Sequence, residues 1–279
     1  MKKILSVVNN KGGVAKTTSI LIFSELLAYL GKKVLTVDLD GQSNLSLALH
    51  QYVEDTSASI AGRIAPSKKN IAEIFKERPK HKEQLLDFIY PTPIKNISII
   101  PSSKRFNSIE SNMDPCFKSP FILNKALTAI KEDFDFILID NAPALDFFTL
   151  NSIVASDYIV TPIREDGFSK KGLFEIMETI NNLTEEYDLS LTFLGAFLTQ
   201  VNPSTIAVKE RIREYKESIP DYFFNTYIRK DTKIAQIESE FKPILEHSLD
   251  SNALLDYSHL LLELGILDDL SKQRLGMSL

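Results

Sequence analysis

Apolar positions along the chain alternate between two periods. Short, nearly continuous apolar runs stand at Ile4–Val8, Val34–Val37, Ile97–Ile100, Phe136–Ile139, Tyr158–Ile163 and Leu191–Leu198. Such runs suit strands buried on both faces. Between them, Thr17–Leu30, Phe121–Lys131, Leu173–Tyr187, Thr205–Lys216, Asp231–Phe241 and Ala253–Leu264 carry helical spacing, and Gly31 supplies a stop for the first. Residues 50–120 are less regular and peripheral, with short helices expected at Ile71–Phe75 and Glu83–Tyr90. Strands separated by helices predict an α/β fold. Its sheet is mostly parallel and twisted, with helices on both faces, in one domain over residues 1–279.

Composition narrows the picture. A chain of 279 residues buries about three quarters of its unfolded surface and needs no covalent or metal staple. The one cysteine, Cys116, excludes a disulfide framework within the chain and reads as a structural thiol. The opening MKKILSVV imitates an export signal, but Asn9, Asn10 and Lys11 interrupt it after Val8. No apolar run reaches the ~20 residues of a membrane span, so a cytoplasmic protein with no membrane partner is expected. With 32 basic against 37 acidic side chains the net charge is −5, so contact with nucleic acid requires a local patch. Arg229, Lys230 and Lys233 form one candidate. Lys209, Arg211, Arg213 and Lys216 alternate with Glu210, Glu214 and Glu217 and read as a salt-bridged helix face. His50, His81, His247 and His259 lack metal-ligand spacing.

The chemistry concentrates in Asn10-Lys11-Gly12-Gly13-Val14-Ala15-Lys16-Thr17-Thr18, between the first strand and the first helix. A glycine-bearing loop in that position can converge backbone N–H groups on a polyphosphate, assisted by the helix dipole. Lys16 then reaches the β- and γ-phosphates, and Thr17 offers its hydroxyl to Mg²⁺. The generic pattern G-x-x-x-x-G-K-[ST] fails at Asn10 and Ala15, whereas K-G-G-x-x-K-[ST], the deviant Walker A form, fits. Asp38 and Asp140 end expected buried strands, where an unpaired carboxylate is costly and where parallel sheets place their ligands.

These residues resemble the ParA family of partition ATPases, relatives of MinD. KGGVAKTT is similar to the family's KGGVGKTT, and VLTVDLDGQSNLSLAL to its LLVDLDPQGN motif. FDFILIDNAPALDFFTLNSIVASDYIVTPI resembles its Walker B stretch, and TYIRKDTKIAQIESEFKPI its late segment. The resemblance implies a P-loop NTPase-like fold with ATP and Mg²⁺ as cofactors. It implies that Lys11 reaches the partner's ATP, that Lys16 and Thr17 bind phosphate and metal, and that Asp40 positions the attacking water. Asp38 then stands near the metal and Asp140 holds it through water. Nucleotide contacts fall on Lys11 to Thr18, with Gln200, Arg229 and Asp231 near the base. The chain departs from the family at Ala15, Gly41, Asn141-Ala142-Pro143, Arg229 and Asp231.

The function so implied is partition of a plasmid or chromosome. An ATP-driven homodimer binds DNA nonspecifically, associates with the nucleoid, and is released when a DNA-bound ParB-like adaptor stimulates hydrolysis. Arg229, Lys230 and Lys233 are the expected DNA contacts. The alternatives are a ParA-like ATPase that positions a protein cargo, and a MinD-like membrane switch. The second needs a basic amphipathic C-terminal helix, and Glu263, Asp268 and Asp269 fit it poorly.

Overall fold

The computed structural model describes residues 3–50, 69–103, 106, 109, 113–114, 118–165, 169–240, 242–247 and 250–278. Cys116 lies outside them. Seven strands form one sheet: β1 (Lys3–Val7), β2 (Val34–Leu39), β3 (Tyr90–Pro91), β4 (Ile97–Ile100), β5 (Phe136–Asn141), β6 (Tyr158–Ile163) and β7 (Thr192–Leu198). Their order is β3-β4-β2-β5-β1-β6-β7, parallel except for the β3–β4 edge. The inner strands are apolar on both faces because both faces are covered.

On one face, α1 (Lys16–Tyr29) packs with α11 (Asn252–Glu263) around Phe23, Leu27, Tyr257 and Leu261. The other face carries α3 (Ile71–Glu77), α5 (Ile122–Ile130) and α6 (Phe147–Ala155) around Phe75, Leu127 and Phe148. Towards the β7 edge lie α7 (Ser169–Tyr187) and α8 (Ile206–Ser218), whose buried side chains include Ile176, Val208 and Tyr215. The remaining helices are short or terminal: α2 (Asn44–His50), α4 (Lys82–Leu85), α9 (Thr232–Ser239), α10 (Ile244–His247) and α12 (Asp269–Ser278).

One expected element changes type. Glu83–Tyr90 was expected to be helical, but α4 stops at Leu85, a 3₁₀ turn spans Leu86–Phe88, and Tyr90 pairs with Ile99 in β3. Pro91 explains the change, since a proline pushes the preceding residue out of the α region. Among the described residues, four helices, α2, α6, α10 and α12, fall outside the expected ones. In α6 nearly every side chain is buried, so no polar face marks the helical period. Its signal was the cap instead: Asp146 accepts from the N–H groups of Phe148 and Thr149 at 3.1 and 2.9 Å.

Candidate functional site

Three strands deliver the site at their carboxyl ends. Val7 of β1 and Asp38 of β2 both pair in register with Asp140 of β5, so the two carboxylates are neighbours beside the loop that leaves β1. That loop is built by local bonds. Asn9 donates to the Pro162 carbonyl at 2.6 Å and accepts the Lys11 N–H at 2.8 Å. Gly13 takes φ 69°, and Ala15, the residue that caps α1, takes φ 66°; only for the first does the residue type remove the steric cost. The loop also leans on α7. Gly172 sits so close that a Cβ there would lie 2.9 Å from the Asn10 amide oxygen.

Lys16 is 7% exposed, and its Nζ donates to the Lys11 carbonyl at 2.8 Å. Burial lowers its pKa, and the Asp140 and Asp40 carboxylates partly offset that. The Thr17 hydroxyl donates to Asp140 Oδ2 at 2.7 Å, while buried Asp140 Oδ1 has no hydrogen-bond partner among the described residues. Burial and then the neighbouring Asp38 push Asp140 well above the usual carboxylate range, against the opposing pull of Thr17 and Lys16. Asp38 is pushed up to about 6 by burial, while its bonds to Ser46 and Asp40 hold it down. Its Oδ2 accepts the N–H and hydroxyl of Ser46 at 2.9 and 2.6 Å, and its Oδ1 accepts the Asp40 N–H at 3.0 Å. Asp38 therefore positions the Asp40 loop, with Ser46 as a supporting residue that the sequence reading missed. Asp40 Oδ1 accepts the Gln42 N–H at 2.8 Å.

Beside the start of α1 lies a cavity of about 170 Å³. Its lining includes Ala15, Thr18, Gln200, Ile228, Asp231 and Tyr257. All three residues expected near a base border it, but they differ in availability. Gln200 donates to the Gly13 carbonyl at 3.2 Å, which joins this cavity to the loop. Arg229 and Asp231 border the cavity with their charged groups engaged by neighbours. The Arg229 guanidinium is turned onto Asp256, and Asp231 accepts the Lys233 N–H at 2.8 Å and the Ser251 hydroxyl at 2.7 Å. Asp256 and Ser251 gave no sequence signal because they lie on or before another helix.

The same contacts bear on the basic triad. Arg229 is paired with Asp256 and Lys233 with Asp250, while Lys230 and Lys233 both stand exposed. The neutralising acids are distant in sequence, so the stretch looked more basic than the folded surface is. In the other cluster, Arg211 meets Glu214 and Arg213 meets Glu217, as the salt-bridged helix face requires. Among the described residues no three His, Cys, Asp or Glu side chains gather as a metal centre, and no helix is long and apolar enough to cross a membrane. In α12 Leu270 is exposed whereas Leu275 is buried in the core, so the described part of this helix docks on the domain and presents no apolar stripe.

A family model described as an AAA domain, AAA_31, matches residues 2–193. The chain is similar to the sporulation initiation inhibitor protein Soj of Bacillus subtilis, at 28% identity over 88% of this chain and 91% of that one. It is similar to the chromosome-partitioning ATPase Soj of Treponema pallidum, at 28% identity over 95% and 97% of the two chains. Among solved structures, an ATP complex of a McdA variant from Cyanothece superposes with a TM-score of 0.80 at 22% identity, covering 96% of this chain and 98% of that one. A Borrelia burgdorferi plasmid partition protein bound to AMPPNP superposes with a TM-score of 0.75 at 22% identity, covering 94% and 98%.

Proposed function

The chain belongs to the AAA domain family AAA_31, in its ParA group, and on that footing we propose that it is an Mg·ATP-dependent ATPase acting in the partition of a plasmid or chromosome. The observation that carries this reading is Asp140. This fully buried carboxylate has one oxygen on the Thr17 hydroxyl and, among the described residues, no hydrogen-bond partner on the other, which leaves it open to a further ligand. The donor set fits a hard divalent cation: one hydroxyl, one carboxylate, and space left to phosphate oxygens and water. When bound, Mg²⁺ and ATP supply the phosphoanhydride to be cleaved and a charge that offsets its oxygens.

The chain's own groups then have distinct tasks. Backbone N–H groups from Gly12 to Thr18 would cradle the phosphates, and Lys16, which rests on the Lys11 carbonyl, would bind their oxygens. Thr17 and Asp140 would hold the cation. Asp40 orients the attacking water, and Asp38 holds Asp40 in place. Lys11 reaches the nucleotide of a second copy, so that ATP joins two chains. The dimer binds DNA nonspecifically and associates with the nucleoid, and a ParB-like adaptor bound to DNA accelerates hydrolysis and release.

Calorimetry tests the core of this reading. Lys16→Ala removes charge-assisted bonds to phosphate worth about 1.5–3 kcal/mol each, so Mg·ATP affinity should fall roughly ten- to a hundredfold per bond lost. Undiminished affinity would overturn the assignment of the loop. Phosphate release with candidate adaptors tests the finer part. Acceleration by a DNA-binding ParB-like protein supports partition, and acceleration by a non-DNA-binding cargo protein replaces it with cargo positioning.

A further inference from the structure

The outer wall of the cavity beside Thr18 is the segment Ile228–Asp231, and it is fastened to α11 at several points. Arg229 Nε and Nη2 grip the Asp256 carboxylate at 2.8 and 2.7 Å. The Arg229 N–H donates to the same carboxylate at 2.9 Å, and Nη2 also reaches the Asn252 carbonyl at 3.2 Å. Two residues on, Asp231 accepts from the Ser251 hydroxyl at 2.7 Å. Ser251 in turn caps α11 by accepting the Leu254 N–H. Arg229 also borders two outer clefts, of about 550 and 320 Å³, as well as the inner cavity, so it stands in the wall between them.

We infer that Arg229 and Asp256, with Asp231 and Ser251, form a clasp that sets the width of a nucleobase slot. Arg229 and Asp256 are then positioning residues for nucleotide binding, touching neither base nor DNA. The apolar lining comes from both sides of the clasp. Ile228 and Ile234 belong to the wall segment and α9, whereas Ala253 and Tyr257 belong to α11. A planar base held by apolar contact needs both sides at one separation. A two-point guanidinium–carboxylate grip fixes orientation as well as distance, which a single lysine charge does not. The Asp256 side chain is only 11% exposed, so water competes little for the grip. The phosphate loop is held separately, through Asn9, Thr17 and Asp140.

This inference rests on the nucleotide-binding reading above, and calorimetry with two probes separates their fates. Mg·ATP and Mg·tripolyphosphate are titrated into the full chain, into Asp256→Asn and Arg229→Gln, and into the conservative Arg229→Lys. Asp256→Asn and Arg229→Gln should weaken ATP roughly tenfold, the equivalent of one lost charge-assisted bond, and leave tripolyphosphate unchanged. Arg229→Lys should fall between them and the parent. Retained tripolyphosphate affinity also reports that the loop is folded in each variant. ATP affinity equal to the parent's in both disruptive variants, or an equal loss for both probes, overturns the clasp. A parent that binds neither probe overturns the nucleotide reading, and the clasp with it.

Discussion

At the scale of single residues, Ala15 is the clearest misfit between side chain and backbone. It caps α1 at φ 66° and ψ 34°, a left-handed conformation that costs an L-residue about 1–2 kcal/mol and a glycine almost nothing. Part of that gain is returned through the greater freedom of glycine in the unfolded chain. Ala15→Gly should therefore stabilise the protein by roughly 0.5–1 kcal/mol, seen as a Tm increase of about 2 °C. A lower Tm would mean that the alanine methyl makes contacts worth more than the strain. The loop itself was legible residue by residue, since Lys11 to Thr18 are contiguous and their backbone supplies the cradle. What engages Arg229 and Asp231 was not legible: Asp256 and Ser251 are supplied by packing from elsewhere in the chain.

At the scale of elements, α1 both opens the site and anchors the C-terminal part of the fold. Its Glu25, 3% exposed, accepts the N–H groups of Ile244 and Leu245 at 3.0 and 2.8 Å and so caps α10. Burial pushes this carboxyl up to about 7, against the two backbone bonds that pull it down. The folded chain thus binds the Glu25 proton more tightly than the unfolded chain does. The stability linked to that proton is fully present below the unfolded value of 4.5 and is lost as pH rises through 7, amounting to roughly 3 kcal/mol. Glu25→Gln keeps one acceptor and cannot ionise. The unfolding free energy of the parent minus that of the variant should therefore fall by roughly 3 kcal/mol between about pH 4 and about pH 8, measured by urea denaturation. A pH-independent difference would contradict this account. The periodicity of α1 could not have revealed the role, because one buried acid in an apolar helix carries no mark of its partner.

At the scale of the whole molecule, the proposed function calls for a second copy. Lys11 lies five residues before Lys16, beyond what a phosphate loop needs, and its carbonyl already receives the Lys16 ammonium. Lys11→Ala should keep ATP binding within about threefold of the parent, as expected when no intrachain phosphate contact is lost, and should abolish the ATP-dependent dimer in light scattering. An intact dimer would place the intersubunit contact elsewhere. The charge distribution gives a second molecular test. Arg229 is offset by Asp256 and Lys233 by Asp250, whereas Lys230 forms no ion pair among the described residues. Two copies of Lys230→Glu in a DNA-bound dimer should reduce the salt slope of binding by roughly two if each lysine meets one phosphate. An unchanged slope would move the DNA contact to another surface.

The order of elements, the parallel sheet and the phosphate loop were determined by the sequence itself. Each is written in contiguous residues: apolar runs such as Phe136–Ile139, or glycine and lysine spacing between a strand and a helix. What only the tertiary structure decided is which charges are available. Asp38 is engaged by Ser46, Arg229 by Asp256, Lys233 by Asp250 and Glu25 by the start of α10, whereas Asp140 keeps one buried oxygen without a hydrogen-bond partner among the described residues. Most of these pairings join residues far apart in the chain, through directed bonds whose partners are fixed only by packing. Apolar burial is non-directional and leaves its pattern along the sequence, whereas a salt bridge depends on one distance and one angle that no local pattern encodes.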